Sequence, residues 1–101
     1  MKCYSIIFNT PQTEEWIADY IGPATNAVER HGGKILARTA SHERVEGAGD
    51  HDAFRTIIEW PSKNAALAFM KDPEYAPHLE ARLKGSISHH FLVDEKDDLK
   101  E

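Results

Sequence analysis

Six histidines, two of them adjacent at His89-His90, and the charged residues Arg38, Glu59 and Arg82 are the side chains of this 101-residue sequence best suited to chemistry. Histidine titrates near neutrality and ligates metals, so spacing decides which role is open to it. His89 and His90 are neighbours on a strand pattern and therefore point to opposite faces. No HxH or HxxxH pair occurs, and His31, His42, His51 and His78 fall on a helix end, a polar loop and a late helix. A metal site needs ligands that converge in space, so no metal is expected, and each histidine taken singly suits a surface or structural role. Whichever of His89 and His90 enters the apolar interior would be a titratable group in a poorly solvated place, as general acid/base catalysis requires. Both are therefore catalytic candidates.

Arg38 and Glu59 lie near the ends of apolar strand patterns, where a charge must be paired or exposed. One outcome is an ion pair within the chain or across a dimer interface. The other is a carboxylate site built from Arg38 and Arg82, because planar guanidinium forks match carboxylates. Arg82, on a helix pattern, could equally be solvated. Trp60 and Tyr75, with Trp16, Tyr20 and Phe69, could line a pocket between helices and sheet or could simply be core. Arg38, Glu59, Arg82, Trp60 and Tyr75 are the ligand-binding candidates. No nucleophile–base pair, phosphate loop or paired-carboxylate signature occurs, and His31-Gly32-Gly33 reads as a helix stop, so no cofactor is implied.

The elements that must hold these residues follow from periodicity. Cys3 to Asn9 is a β-branched and aromatic run, a first strand closed by Thr10-Pro11, with Thr10 as a cap. Cys3 within it is expected as a buried structural thiol, without a disulfide partner. From Gln12 to His31, Ile17, Tyr20, Ile21, Ala24, Ala27 and Val28 form one helical stripe, in which Gly22-Pro23 predicts a kink or break. Lys34 to Thr39 and Phe54 to Trp60 read as strands, joined by a polar loop over 40–53 whose Gly47, Gly49, Asp50 and Asp52 suggest a mobile tip. Ser62 caps a helix that buries Ala65, Ala66, Phe69 and Met70. Asp72 with Pro73 starts another, with Tyr75, Leu79 and Leu83 inward and Pro77 as a dividing point. Ile87 to Val93 is the last strand, and 95–101 is a solvated acidic tail after a single domain over 1–94.

Strand, helix, strand, strand, helix, strand is the split βαβ, ferredoxin-like plan: α+β, a four-stranded antiparallel sheet with helices on one face. The other sheet face needs a partner where it is apolar. Alternation divides the first strand into Tyr4, Ile6 and Phe8 against Ser5, Ile7 and Asn9. It divides the third into Phe54, Thr56, Ile58 and Trp60 against Arg55, Ile57 and Glu59, and a face-to-face homodimer would bury the second set of each.

Composition excludes several classes. With 41% hydrophobic and 29% charged residues the chain reads as an ordinary globular protein with one core. A net charge of -5 without a Lys/Arg cluster argues against nucleic acid as a partner. The lack of an apolar run of roughly 20 residues argues against the membrane. The first ten residues lack a signal-peptide layout, so a cytoplasmic location is the expectation.

HGGKILAR leading to VEG, then IIEWPS, NAALAFM, DPEYAPHL and Arg82 together resemble the domain of unknown function 1330 family, a branch of the dimeric α+β barrel superfamily. The resemblance runs from the first strand through Val93. The chain departs from the family pattern after Arg38, where Thr39-Ala40-Ser41 replaces a glycine pair. It implies a ferredoxin-like fold and a dimer of two sheets packed as a barrel, without implying an activity. The leading expectation is a homodimer that binds a small organic ligand, carboxylated where Arg38 and Arg82 engage it. The rivals are a cofactor-independent monooxygenase or isomerase that uses a cavity histidine as base, and a structural or interaction subunit whose barrel is filled by side chains.

Overall fold

Strands β1 (Cys3–Pro11), β2 (Lys34–Thr39), β3 (Phe54–Trp60) and β4 (Ser86–Asp94) form one sheet in the order β2-β3-β1-β4. Every neighbouring pair is antiparallel. Helices α1 (Glu15–Arg30), α2 (Lys63–Met70) and α3 (Ala76–Gly85) complete the α+β, ferredoxin-like plan. The computed structural model describes residues 1–49 and 53–100; Asp50, His51 and Asp52 of the long polar loop and Glu101 of the tail lie outside the described residues.

Cys3, Ile7, Ile58 and Trp60 of the sheet pack against Ala24, Ala27 and Val28 of α1, Ala66 and Phe69 of α2, and Tyr75. All the helices therefore bury their apolar stripes on one sheet face. The ladder settles which strand residues share that face, because directly opposed residues lie on the same side. Ser5 opposes Ile58, and Ile7 opposes Thr56, beneath the helices. On the open face Tyr4 opposes Glu59, Ile6 opposes Ile57 and Phe8 opposes Arg55. This corrects the grouping expected above: the uncovered set of the first strand is Tyr4, Ile6 and Phe8, whereas Ser5, Ile7 and Asn9 are buried under the helices.

Several element ends differ from the sequence reading for local reasons. Thr10 and Pro11 do not cap a helix but continue β1, opposite Ile87 and Ser86 of β4. The backbone N–H groups of Gln12 and Thr13 then donate to the Gly85 carbonyl, and α1 starts at Glu15 without a side-chain cap. Pro23 does not break α1, which runs unbroken through it. Proline removes the hydrogen bond to the carbonyl four residues back and crowds that carbonyl, but the apolar stripe on both sides is held by the sheet. The helix ends as expected: Gly32 takes a φ of 77°, with Gly32 N–H on Glu29 O and Gly33 N–H on Val28 O, a Schellman closure. Ser62 accepts from the Ala65 N–H at 3.1 Å at the start of α2. Asp72-Pro73 forms a turn in place of a helix start, and Pro77 opens α3 in place of dividing it. Leu83 is 55% exposed, whereas Arg82 is buried, because Arg82 and not Leu83 completes the face begun by Tyr75 and Leu79.

Candidate functional site

Beneath α1 the sheet and helices form a cavity of about 210 Å³ that is open to solvent on one side. One wall is aliphatic, with Ile7, Ile35 and Ile58 of the sheet facing Ile17, Ala24 and Val28 of α1. The other is polar, where Asn9, Tyr20, Tyr75 and Arg82 meet. Ile21, Arg38 and Phe54 also line it and are exposed, which marks the mouth.

Arg82 is the most unusual residue of the inner wall. It is only 4% exposed although it carries a permanent charge. One terminal nitrogen donates to the Ser88 hydroxyl, and the guanidinium lies 5.9 Å from the centre of the Tyr20 ring. Its Nε–H is buried without a hydrogen-bond partner, and among the described residues no carboxylate lies within ion-pair distance of it. Ser86 anchors the helix end by donating to the Arg82 carbonyl at 2.5 Å, and it accepts from the Asn9 amide at 2.9 Å. Beside the guanidinium the Tyr20 and Tyr75 hydroxyls are 2.7 Å apart. Burial holds the Tyr75 phenol well above its ordinary pKa, with Tyr20 adding to the shift and Arg82 opposing it, so Tyr75 remains a neutral phenol. Stacking on Phe69, with ring centroids 4.3 Å apart, fixes its ring.

At the mouth, Arg38 donates to the Thr25 hydroxyl of α1 at 3.0 Å. A β-bulge between Ile35 and Ala37 puts it there. Without the extra residue Ile35 and Arg38, three apart, would point to opposite faces; with it Ile35 opposes Ile58 and Arg38 opposes Thr56, both on the cavity side.

The structure thus brings Arg38, Arg82 and Tyr75 to one cavity and sends the other candidates elsewhere. Glu59 lies on the open sheet face, paired with Lys2 at 3.3 Å and not with Arg38. Trp60 is fully buried core, donating its indole N–H to Ser5 at 2.8 Å. His89, opposite Phe8, lies on the open face. His90 is on the helix side, its Nε2 2.8 Å from the Ser5 hydroxyl, and it is not among the cavity-lining residues. Burial, with repulsion from Arg82, lowers its pKa to about 4, so it is neutral at physiological pH. Asn9, Ser86 and Ser88 were not read as site residues. Their signal was present: Ser86, Ser88 and His90 alternate, a polar stripe on a strand face that the strand pattern otherwise makes apolar. Among the described residues no group of three or more His, Cys, Asp or Glu side chains gathers as a metal site would require. No helix among them is long and apolar enough to cross a membrane.

Comparison with known proteins agrees with this fold. The family described as "Domain of unknown function (DUF1330)" matches residues 2–96. The chain belongs to that family. The solved RPA0582 protein of unknown function from Rhodopseudomonas palustris superposes with a TM-score of 0.76 at 19% identity, over 95% of this chain and 83% of that one. SnoaB, a cofactor-independent oxygenase from Streptomyces nogalater, gives 0.66 at 20% identity, over 99% and 98%. A hydroxynitrile lyase from Passiflora edulis gives 0.63 at 14%, over 95% and 96%. At these identities the likeness is one of fold alone, the four-stranded antiparallel α+β plan described above. No curated protein sequence matches the chain.

Proposed function

We propose that the protein binds a small, mainly apolar organic molecule in the cavity beneath α1, and that it does so as a homodimer joined through its open sheet face. The observation that carries the ligand reading is the cavity itself. Protein interiors are packed as densely as organic crystals, with few voids larger than a water molecule. This recess instead keeps the side chains of Ile7, Ile35 and Ile58 against solvent, and a molecule that displaces that solvent gains the hydrophobic free energy of the apolar surface it covers. An apolar cavity of about 150 Å³ holds one benzene ring, and this one suits a molecule of one or two rings.

Native mass spectrometry of gently purified protein, compared with the same sample denatured, tests both halves. The expected species is a dimer carrying extra mass that disappears on denaturation. If the purified protein is empty, one- or two-ring probes at saturating concentration should raise its melting temperature by several degrees, as mass action requires. Bare protein that responds to none of them would remove the ligand reading.

A further inference from the structure

We propose that the ligand carries a carboxylate, held by the guanidinium of Arg82 at the inner wall and by the free proton of the Tyr20–Tyr75 hydroxyl pair. This rests on the ligand reading above and gives that ligand its chemical class. A guanidinium cannot shed its charge, and a buried charge is unfavourable unless an anion compensates it. Arg82 is 4% exposed, and none of its neighbours supplies that anion. Ser88 and the Tyr20 ring are neutral, and the Nε–H is unpartnered. The two hydroxyls at 2.7 Å share one hydrogen bond, in which one proton is donated to the other oxygen. The second proton is left for an external acceptor. A guanidinium N–H and a phenolic O–H side by side match the two oxygens of a carboxylate.

The rest of the cavity agrees with an anionic head on an apolar body. Among the described lining residues there is no carboxylate to repel an anion and no imidazole to take up a proton. The ligand therefore enters already ionised, as a carboxylic acid is at neutral pH. Ile17, Ile35 and Ile58 face the space a ring system would occupy. Arg38, exposed at the mouth, puts a second positive charge on the path inward.

The experiment pairs benzoate, cinnamate and 2-naphthoate each with its primary amide, which keeps the shape and loses the charge, in isothermal titration at pH 7.5. At least one acid should bind the wild-type protein about tenfold more tightly than its amide, or better. Arg82→Gln should abolish that preference while leaving amide affinity within about twofold, and Tyr20→Phe should reduce it. Should Arg82→Gln fail to fold, the wild-type comparison and Tyr20→Phe decide. An amide that binds as tightly as its acid would overturn the carboxylate assignment and leave the cavity reading standing. If neither acids nor amides bind, both fall.

Discussion

The hydroxyl of Ser5 serves two buried neighbours at once, accepting the Trp60 indole N–H at 2.8 Å and lying 2.8 Å from His90 Nε2. An oxygen that accepts from indole still has its own proton to give, and a neutral imidazole nitrogen is the acceptor it needs. Protonation of His90 would end that arrangement and place a second cation near Arg82, which accords with its lowered pKa of about 4 against an ordinary 6.5. The sign follows directly. Between these values the unfolded chain binds a proton that the folded chain refuses, so folding stability is full above pH 6.5 and is lost as pH falls toward 4. Asp72 extends the loss further down. Arg30 and His31, with oxygens and nitrogens 2.9 and 2.8 Å apart, hold its carboxyl well below the ordinary value of 3.8. Urea denaturation at pH 7, 5.5 and 4.5 is expected to show a falling midpoint in the wild-type protein and a much flatter profile in His90→Gln, whose amide can still meet Ser5. Parallel profiles would mean that His90 is solvated. The polar alternation Ser86, Ser88, His90 was legible in the sequence, but the face it occupies was not, since that is decided by pairing with β1.

At the scale of elements, the strand and helix cores were readable because each carries its own period, and the ends were not, because they answer to neighbours. The Schellman closure at Gly32-Gly33 is local and was read correctly. Gly33 is required there besides, since an added Cβ would come within 2.6 Å of the Trp60 ring. Proline gave mixed results for a physical reason: its fixed φ suits a first turn, but sequence does not say which of Pro73 and Pro77 occupies one. The bulge in β2 was invisible for the same reason, and with it the placement of Arg38. Pro23 offers the cleanest test of this level. It lies in the ninth position of α1, well past the first turn, and removes the hydrogen bond due to the Asp19 carbonyl. Because the helix is otherwise regular, Pro23→Ala is expected to raise stability, by up to about 3 kcal/mol on propensity alone. Chemical denaturation would read it. A loss of stability instead would show that the proline ring packs on something alanine cannot replace.

For the molecule as a whole, the open sheet face is the feature the single chain leaves unsatisfied. Ile87, Phe91 and Val93 are 54, 56 and 46% exposed, and they adjoin Ile6, Phe8 and Ile57 in one apolar strip. Contiguous apolar surface of this kind marks an association site on most proteins. The charges on this face are kept compatible with burial: Lys2 pairs with Glu59, and the Arg55 guanidinium lies 4.4 Å over the Phe8 ring. Two chains of net charge -5 repel each other, so the strip must outweigh that repulsion, and added salt should favour association. Light scattering after gel filtration is expected to give twice the chain mass of 11.4 kDa. Phe91→Glu, which replaces a ring whose centre lies 6.1 Å from that of Phe8 by a charged side chain, should give a folded monomer by circular dichroism. A wild-type monomer, or a Phe91→Glu dimer, would place any association elsewhere. The cavity lies under the helices, on the opposite side of the sheet from this face. The Phe91→Glu monomer should therefore keep its ligand affinity within about threefold, which separates assembly from binding as two uses of the two faces of one sheet.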